Sequence, residues 1–141
     1  MSGFSKPRHA SINDTLRGLS EKIYGSDRKS PYLLFTNTNY EYQIFEDTGT
    51  GKAYSNLLLF DWAVFKLTLV PFLIHDSLLF KNIENEAVAR MIKMYSELGR
   101  QTFIAIDEVQ KYGEEIEEIV KNHTVLSLSN SNVLYVKDWR K

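Results

Sequence analysis

The chain has 141 residues, 43% hydrophobic and 25% charged, with a net charge of −1, which suffices for one domain with a real core. That balance excludes a bulk positive field for nucleic acid, and the absence of cysteine excludes disulfides and thiolate metal sites. The three histidines, at 9, 75 and 123, do not pair at metal-ligand spacing.

Met1 to Ala10 is polar and carries Pro7, so it does not read as a signal peptide. Residues 1–9 read as a flexible leader and residues 10–141 as a single lobe. Ser11-Ile12-Asn13-Asp14 supplies a predicted N-cap. Ile12, Leu16, Leu19 and Ile23 then recur at helical spacing up to Gly25. Tyr32 to Thr36 and Tyr40 to Phe45 are β-rich runs around Asn37-Thr38-Asn39, the pattern of a hairpin. Glu46 to Lys52 is a Gly/Thr loop, and Ala53 to Leu67 is a helix apolar on most of its surface.

Pro71-Phe72-Leu73-Ile74-His75-Asp76 reads as a buried strand, with Pro71 confined to its beginning or to an edge. The apolar stretch from Leu57 to Phe80 contains Asp61, Lys66, Pro71, His75 and Asp76, which argues against a membrane span. Ile83 to Leu98 is an amphipathic helix ended by Gly99, with Ile83, Ala87, Met91, Met94 and Leu98 on one face. Thr102 to Ile106 reads as a short buried strand. Glu114 to Lys121 reads as a helix whose acidic start and basic end suit its dipole. Val125 to Leu128 and Val133 to Val136 read as closing strands around Ser129-Asn130-Ser131-Asn132. The alternation after residue 69 predicts an α/β fold with a mixed, largely parallel sheet flanked by helices, plus the N-terminal antiparallel hairpin.

Two segments carry candidate chemistry. Thr48-Gly49-Thr50-Gly51-Lys52 opens an apolar helix, and a Gly-rich turn before a helix can present backbone N–H groups to phosphate. It is not a P-loop, because Ala53 follows Gly51-Lys52 and Glu46 stands where the first glycine belongs. Asp76, at a strand end, can hold Mg²⁺ directly or through water; otherwise it caps a turn with Ser77. A second strand end, Asp107-Glu108, matches a magnesium-and-base pair better by local pattern.

His75 and Asp76, as neighbours on a strand, point to opposite faces and do not share a proton; a satisfied or partly exposed His75 is the plainer reading. Glu114, Glu115, Glu117 and Glu118 read as a solvated helix face. Tyr32, Phe35, Tyr40, Tyr42 and Phe45 read as core and hairpin pairs and not as a base-stacking platform.

Taken in order, the Gly-Lys turn, the helix containing Phe60-Asp61-Trp62-Ala63 and the strand ending in Asp76 resemble ABC-type ATPases of the chromosome-maintenance and DNA-repair kind. The turn resembles their signature motif, Asp76 their Walker B aspartate and Ser77-Leu78-Leu79-Phe80 their D-loop region. Residues 10–140 as a whole resemble the bacterial domain of unknown function 2326, the C-terminal part of longer proteins similar to coiled-coil ATPases. The resemblance decides between the two aspartates. Lys52 and Asp76 lie 24 positions apart, as signature and Walker B elements should. Lys52 and Asp107 lie 55 apart, so Asp107 falls near the switch region.

By the same resemblance, Thr48, Gly49, Thr50, Gly51 and Lys52 would bind nucleotide and Asp76 would hold the metal. ATP and Mg²⁺ would be cofactors of the complete protein, with none bound to this chain alone. The catalytic residue stays unassigned: Ser77 stands where the catalytic glutamate is usual, no histidine stands near Ile106, and Lys52 replaces the usual signature glutamate. The implied partners are an N-terminal P-loop lobe and a second copy of the head, with DNA as a further candidate and no membrane. The implied setting is the cytoplasm, in DNA repair or defence, and ATPase activity would require the P-loop lobe. A non-catalytic interaction module with a degenerate ATPase fold is the alternative. A Mg²⁺-dependent nuclease or phosphotransfer enzyme would need Asp76, Asp107 and Glu108 to converge.

Overall fold

The computed structural model describes residues 6–26, 28–45, 49–129 and 131–134. The first helix, α1, spans Lys6–Tyr24 and buries Leu16, Leu19 and Ile23, as their spacing predicts. It stops at Gly25, which takes a left-handed φ of 78° and bonds back to the Glu21 carbonyl at 2.8 Å. The helix begins before the predicted Ser11–Asp14 cap, so Asn13 has a different task. Its side-chain amide donates to the Leu33 carbonyl at 3.0 Å and accepts from the Leu33 N–H at 2.7 Å. A side chain thereby pairs with a strand backbone and fixes the hairpin on α1.

That hairpin is β1 (Tyr32–Phe35) and β2 (Tyr40–Gln43), antiparallel with Phe35 opposite Tyr40. Tyr32 stacks on Phe45, with ring centroids 5.6 Å apart. Tyr42 packs on Phe60 and donates its hydroxyl to the Asn56 carbonyl at 2.8 Å. The aromatic run therefore holds the hairpin to itself and to the next helix, α2 (Thr50–Leu67).

The core lies where α1, α2 and α4 (Asn85–Glu97) meet. Leu58, Leu59, Trp62 and Ala63 of α2 interlock with Ala87, Val88, Met91, Ile92 and Tyr95 of α4. The amphipathic stripe on α4 is as the sequence predicts, widened by Val88, Ile92 and Tyr95. Gly99, with φ of 63°, turns the chain after α4. Arg100 then reaches the carbonyls of Phe65, Thr68 and Val70 and lies 4.0 Å over the Phe65 ring. A cation on orphan carbonyls is how a helix C-terminus is satisfied, and here it clamps the end of α2.

The strands β3 (Leu73–His75) and β4 (Thr102–Ile104) pair in parallel, with Ile74 opposite Phe103. Between them come the short helix α3 (Ser77–Phe80) and α4; a 3₁₀ turn (Val109–Tyr112) and α5 (Glu114–His123) follow. The Glu114–Glu118 run faces solvent around buried Ile116.

Three expectations are corrected. The fold is mixed α/β, but among the described residues each sheet has only two strands, so no large parallel sheet forms. Neither strand of the parallel pair is buried throughout: His75 is 3% exposed, whereas Ile74 is 64% and Phe103 47% exposed. An apolar run reads the same whether its outer face is covered or bare, which is why sequence misjudged it. Val125 to Leu128 make no ladder and stand in solvent, as do Val133 and Leu134; Tyr135 and Val136 lie outside the described residues. A reciprocal Ser129–Asn132 turn is present, but among the described residues its arms meet no sheet edge that would make them strands.

Candidate functional site

Thr48 lies outside the described residues. Gly49 is extended, with φ −147° and ψ 145°, and stands as the N-cap of α2. No described side chain caps this end, and its first turn holds no acidic residue. An uncapped helix start of this kind suits an anion. Gly49, Thr50 and Lys52 are exposed.

Gly51 is different. A Cβ placed on it would lie 1.9 Å from the carbonyl oxygen of Asn82, so only glycine fits. Asn82 sits just beyond α3, and Asp76 is the N-cap of α3. The contact between Gly51 and Asn82 therefore brings the Gly-rich turn against the segment that begins at Asp76.

Asp76 is exposed at the carboxyl end of β3, and its side chain makes no cap bond. Ser77 donates its hydroxyl to Asp76 Oδ1 at 3.2 Å. An exposed hard oxygen donor fits Mg²⁺, which binds through one or two carboxylates and keeps several waters.

Asp107 and Glu108 do not join Asp76. Among the described residues no three carboxylate or imidazole side chains converge as a metal site would require. Lys81 pairs with Asp107 at 3.0 Å, and Glu108 pairs with Lys111 at 3.1 Å. The convergence that a carboxylate-metal nuclease needs is absent from these residues.

The Lys81 ammonium, by its hydrogen bond, holds the Asp107 carboxyl below its usual range. A depressed folded-state value stabilises the fold above the ordinary carboxylate range, and that contribution is lost as pH falls through the folded value. Lys81→Met is expected to return Asp107 to an ordinary titration, followed by the carboxyl ¹³C shift. An unaltered Asp107 curve in the variant would remove Lys81 as the cause.

His75 is satisfied, as the plainer reading has it, but its partners Asp61 and Tyr95 are contacts the sequence reading did not supply. His75 is buried, with Nε2 3.2 Å from Asp61 Oδ2 of α2 and Nδ1 hydrogen-bonded to the Tyr95 hydroxyl of α4. Burial pushes the Tyr95 hydroxyl far above its usual value. Trp62 meets Tyr95 edge-on at 4.5 Å. The Trp62 indole N–H has no well-formed hydrogen bond among the described residues, although it lies near enough to favour the ionised form of Tyr95 slightly. The available signal was a lone aspartate inside an apolar helix and a lone histidine inside an apolar strand.

This arrangement of helices and small sheets is similar in fold to a chain solved among SMC ATPases. A chain solved in work on ATP-driven dimerization and DNA-stimulated activation of SMC ATPases superposes with a TM-score of 0.56 at 18% identity. The match covers 75% of this chain and 72% of that one, so the two are of similar length. The chain belongs to the DUF2326 family, described as uncharacterised proteins conserved in bacteria, whose model matches residues 19–137. No curated protein sequence matches it. Among the described residues no helix is long and apolar enough to cross a membrane.

Proposed function

We propose that this chain is the C-terminal lobe of a coiled-coil ABC-type ATPase. In this reading the Thr48–Lys52 turn supplies a signature-like loop, and Asp76 supplies the Walker B carboxylate for Mg²⁺. The observation that carries it is the parallel pair β3–β4. Parallel strands are covered on both faces in folded proteins. Here Phe72, Ile74 and Phe103 leave one face bare, at 49%, 64% and 47% exposure. In open α/β sheets, ligands bind beyond the carboxyl ends of the strands, where Asp76 stands. A lobe that covers this face and brings a phosphate-gripping loop to that end would complete a nucleotide site.

ATP with Mg²⁺ then joins lobes, because it binds productively only in the closed state. The Gly49–Gly51 turn of one head faces the γ-phosphate held by another, so the working unit is a head-to-tail pair in the cytoplasm. The chain acts as one lobe from α1 onward, and α1 marks the entry of the coiled coil. With Ser77 at the glutamate position, closure is the main output and hydrolysis is slow, since serine is a poor general base. The similarity to an SMC ATPase fold supports this reading, and DNA repair or defence is the setting it suggests.

Asp76→Ala, in the protein that carries both lobes, is expected to reduce Mg-ATP-dependent head engagement to the level seen without nucleotide. Light scattering or site-specific crosslinking measures it, and full engagement in the variant would sink the assignment. Ser77 favours the second reading, a non-catalytic interaction module. In that case wild-type association would be the same with and without Mg-ATP.

A further inference from the structure

His75 is the last residue of β3 and immediately precedes Asp76. Its two ring nitrogens meet side chains from two different helices, Asp61 on α2 and Tyr95 on α4. A carboxylate only accepts, so the Asp61 contact places the imidazole proton on Nε2. With a single ring proton, Nδ1 carries a lone pair, and the Tyr95 hydroxyl donates to it. The result is a directed array, with Tyr95 O–H donating to His75 Nδ1 and His75 Nε2–H donating to Asp61 Oδ2.

The strand end has little else to hold it. Strands β3 and β4 are three residues each, with one ladder between them and a bare outer face. Beyond the ladder, the backbone is tied by Ala105 N–H donating to the His75 carbonyl at 2.9 Å. Tyr95, by contrast, is wedged between Trp62 of α2 and Phe80 of α3, with centroids at 4.5 and 6.4 Å. The imidazole therefore fastens a weakly laddered strand end to the most tightly packed part of the molecule.

We propose that His75 is a positioning residue for Asp76. Held as the Nε2–H tautomer between Asp61 and Tyr95, it makes the strand end that presents Asp76 move as one body with the helix opened by Gly49 and Gly51. Alternation along the strand gives the second half of the device: with His75 turned inward, Asp76 is turned out. The purpose of this coupling rests on the function proposed above, but the coupling itself needs no nucleotide.

The test uses the 141-residue chain without nucleotide. ¹⁵N-imidazole spectra are expected to show His75 protonated on Nε2 alone. Tyr95→Phe and Asp61→Ala are each expected to speed amide exchange at residues 74–78 by about tenfold, the size of effect of one lost buried hydrogen bond, and to leave α1 and α5 unchanged. Asp61→Asn keeps an acceptor and is expected to restore most of the protection. A ring protonated on Nδ1, exchange at 74–78 unchanged in both variants, or a uniform rise along the whole chain would each overturn the proposal. A wild-type protein indifferent to Mg-ATP would remove the proposed function and leave these readings standing.

Discussion

Gly51→Ala is expected to destabilise the chain by about 2–3 kcal/mol, the upper range for overpacking. The obstacle is the Asn82 carbonyl oxygen, 1.9 Å from the new methyl group. It belongs to backbone, so no rotamer relieves the clash. Moving it displaces Ile83, which is buried and bonded to the Phe80 carbonyl at 3.1 Å. Alanine gains about 1 kcal/mol over glycine in a helix, too little to offset the clash. Gly49→Ala is the control: nothing lies within 4 Å of its Cβ, and its extended backbone accepts any residue. That variant is expected to stay within about 1 kcal/mol of wild type. Urea midpoints at constant slope measure both, and a wild-type midpoint for Gly51→Ala would mean that α2 does not rest on Asn82.

Trp62→Ala should cost about 3–5 kcal/mol, the usual range for emptying a buried tryptophan site. Trp62 is 1% exposed and touches Tyr95, so its loss opens a cavity at the junction of α2 and α4. Against a total stability of about 5–15 kcal/mol, such a loss leaves little margin. Trp62→Phe is expected to cost much less, about 1.5 kcal/mol or below. It fills part of the volume and removes an indole N–H that has no well-formed partner. Far-UV circular dichroism in denaturant follows both variants, and equal midpoints would show that volume at this position does not limit the fold.

The legible part of the fold was the part encoded within a few residues. Leu16, Leu19 and Ile23 recur at helical spacing and are buried; Gly25 and Gly99 end helices and both take positive φ. The hairpin and the acidic face of α5 follow from equally local patterns. What sequence could not supply depends on contacts between distant segments. A strand exists only if a ladder partner arrives, and among the described residues none reaches Val125 to Leu128. Whether Ile74 is covered depends on what packs outside it.

The same distinction holds at the candidate site. Asp61 and Tyr95 lie 14 and 20 positions from His75, so only the fold brings the three together. Gly51 read as a phosphate-facing glycine, and packing against Asn82 is reason enough for it. The choice of Asp76 over Asp107 came from family resemblance. The structure adds that Asp107 is engaged by Lys81 and that Asp76 stands exposed at a strand end.

The bare face of β3–β4 also sets an order of local opening within the molecule. A pair of three-residue strands with one uncovered side should separate at a lower free energy than the α1–α2–α4 layer. Whatever covers that side binds the closed form alone and stabilises it by mass action. Opening of the strand pair is thereby linked to occupancy of a surface on its other side. The amides of Ile74 and Phe103 become natural reporters of that occupancy, with no label placed near Asp76.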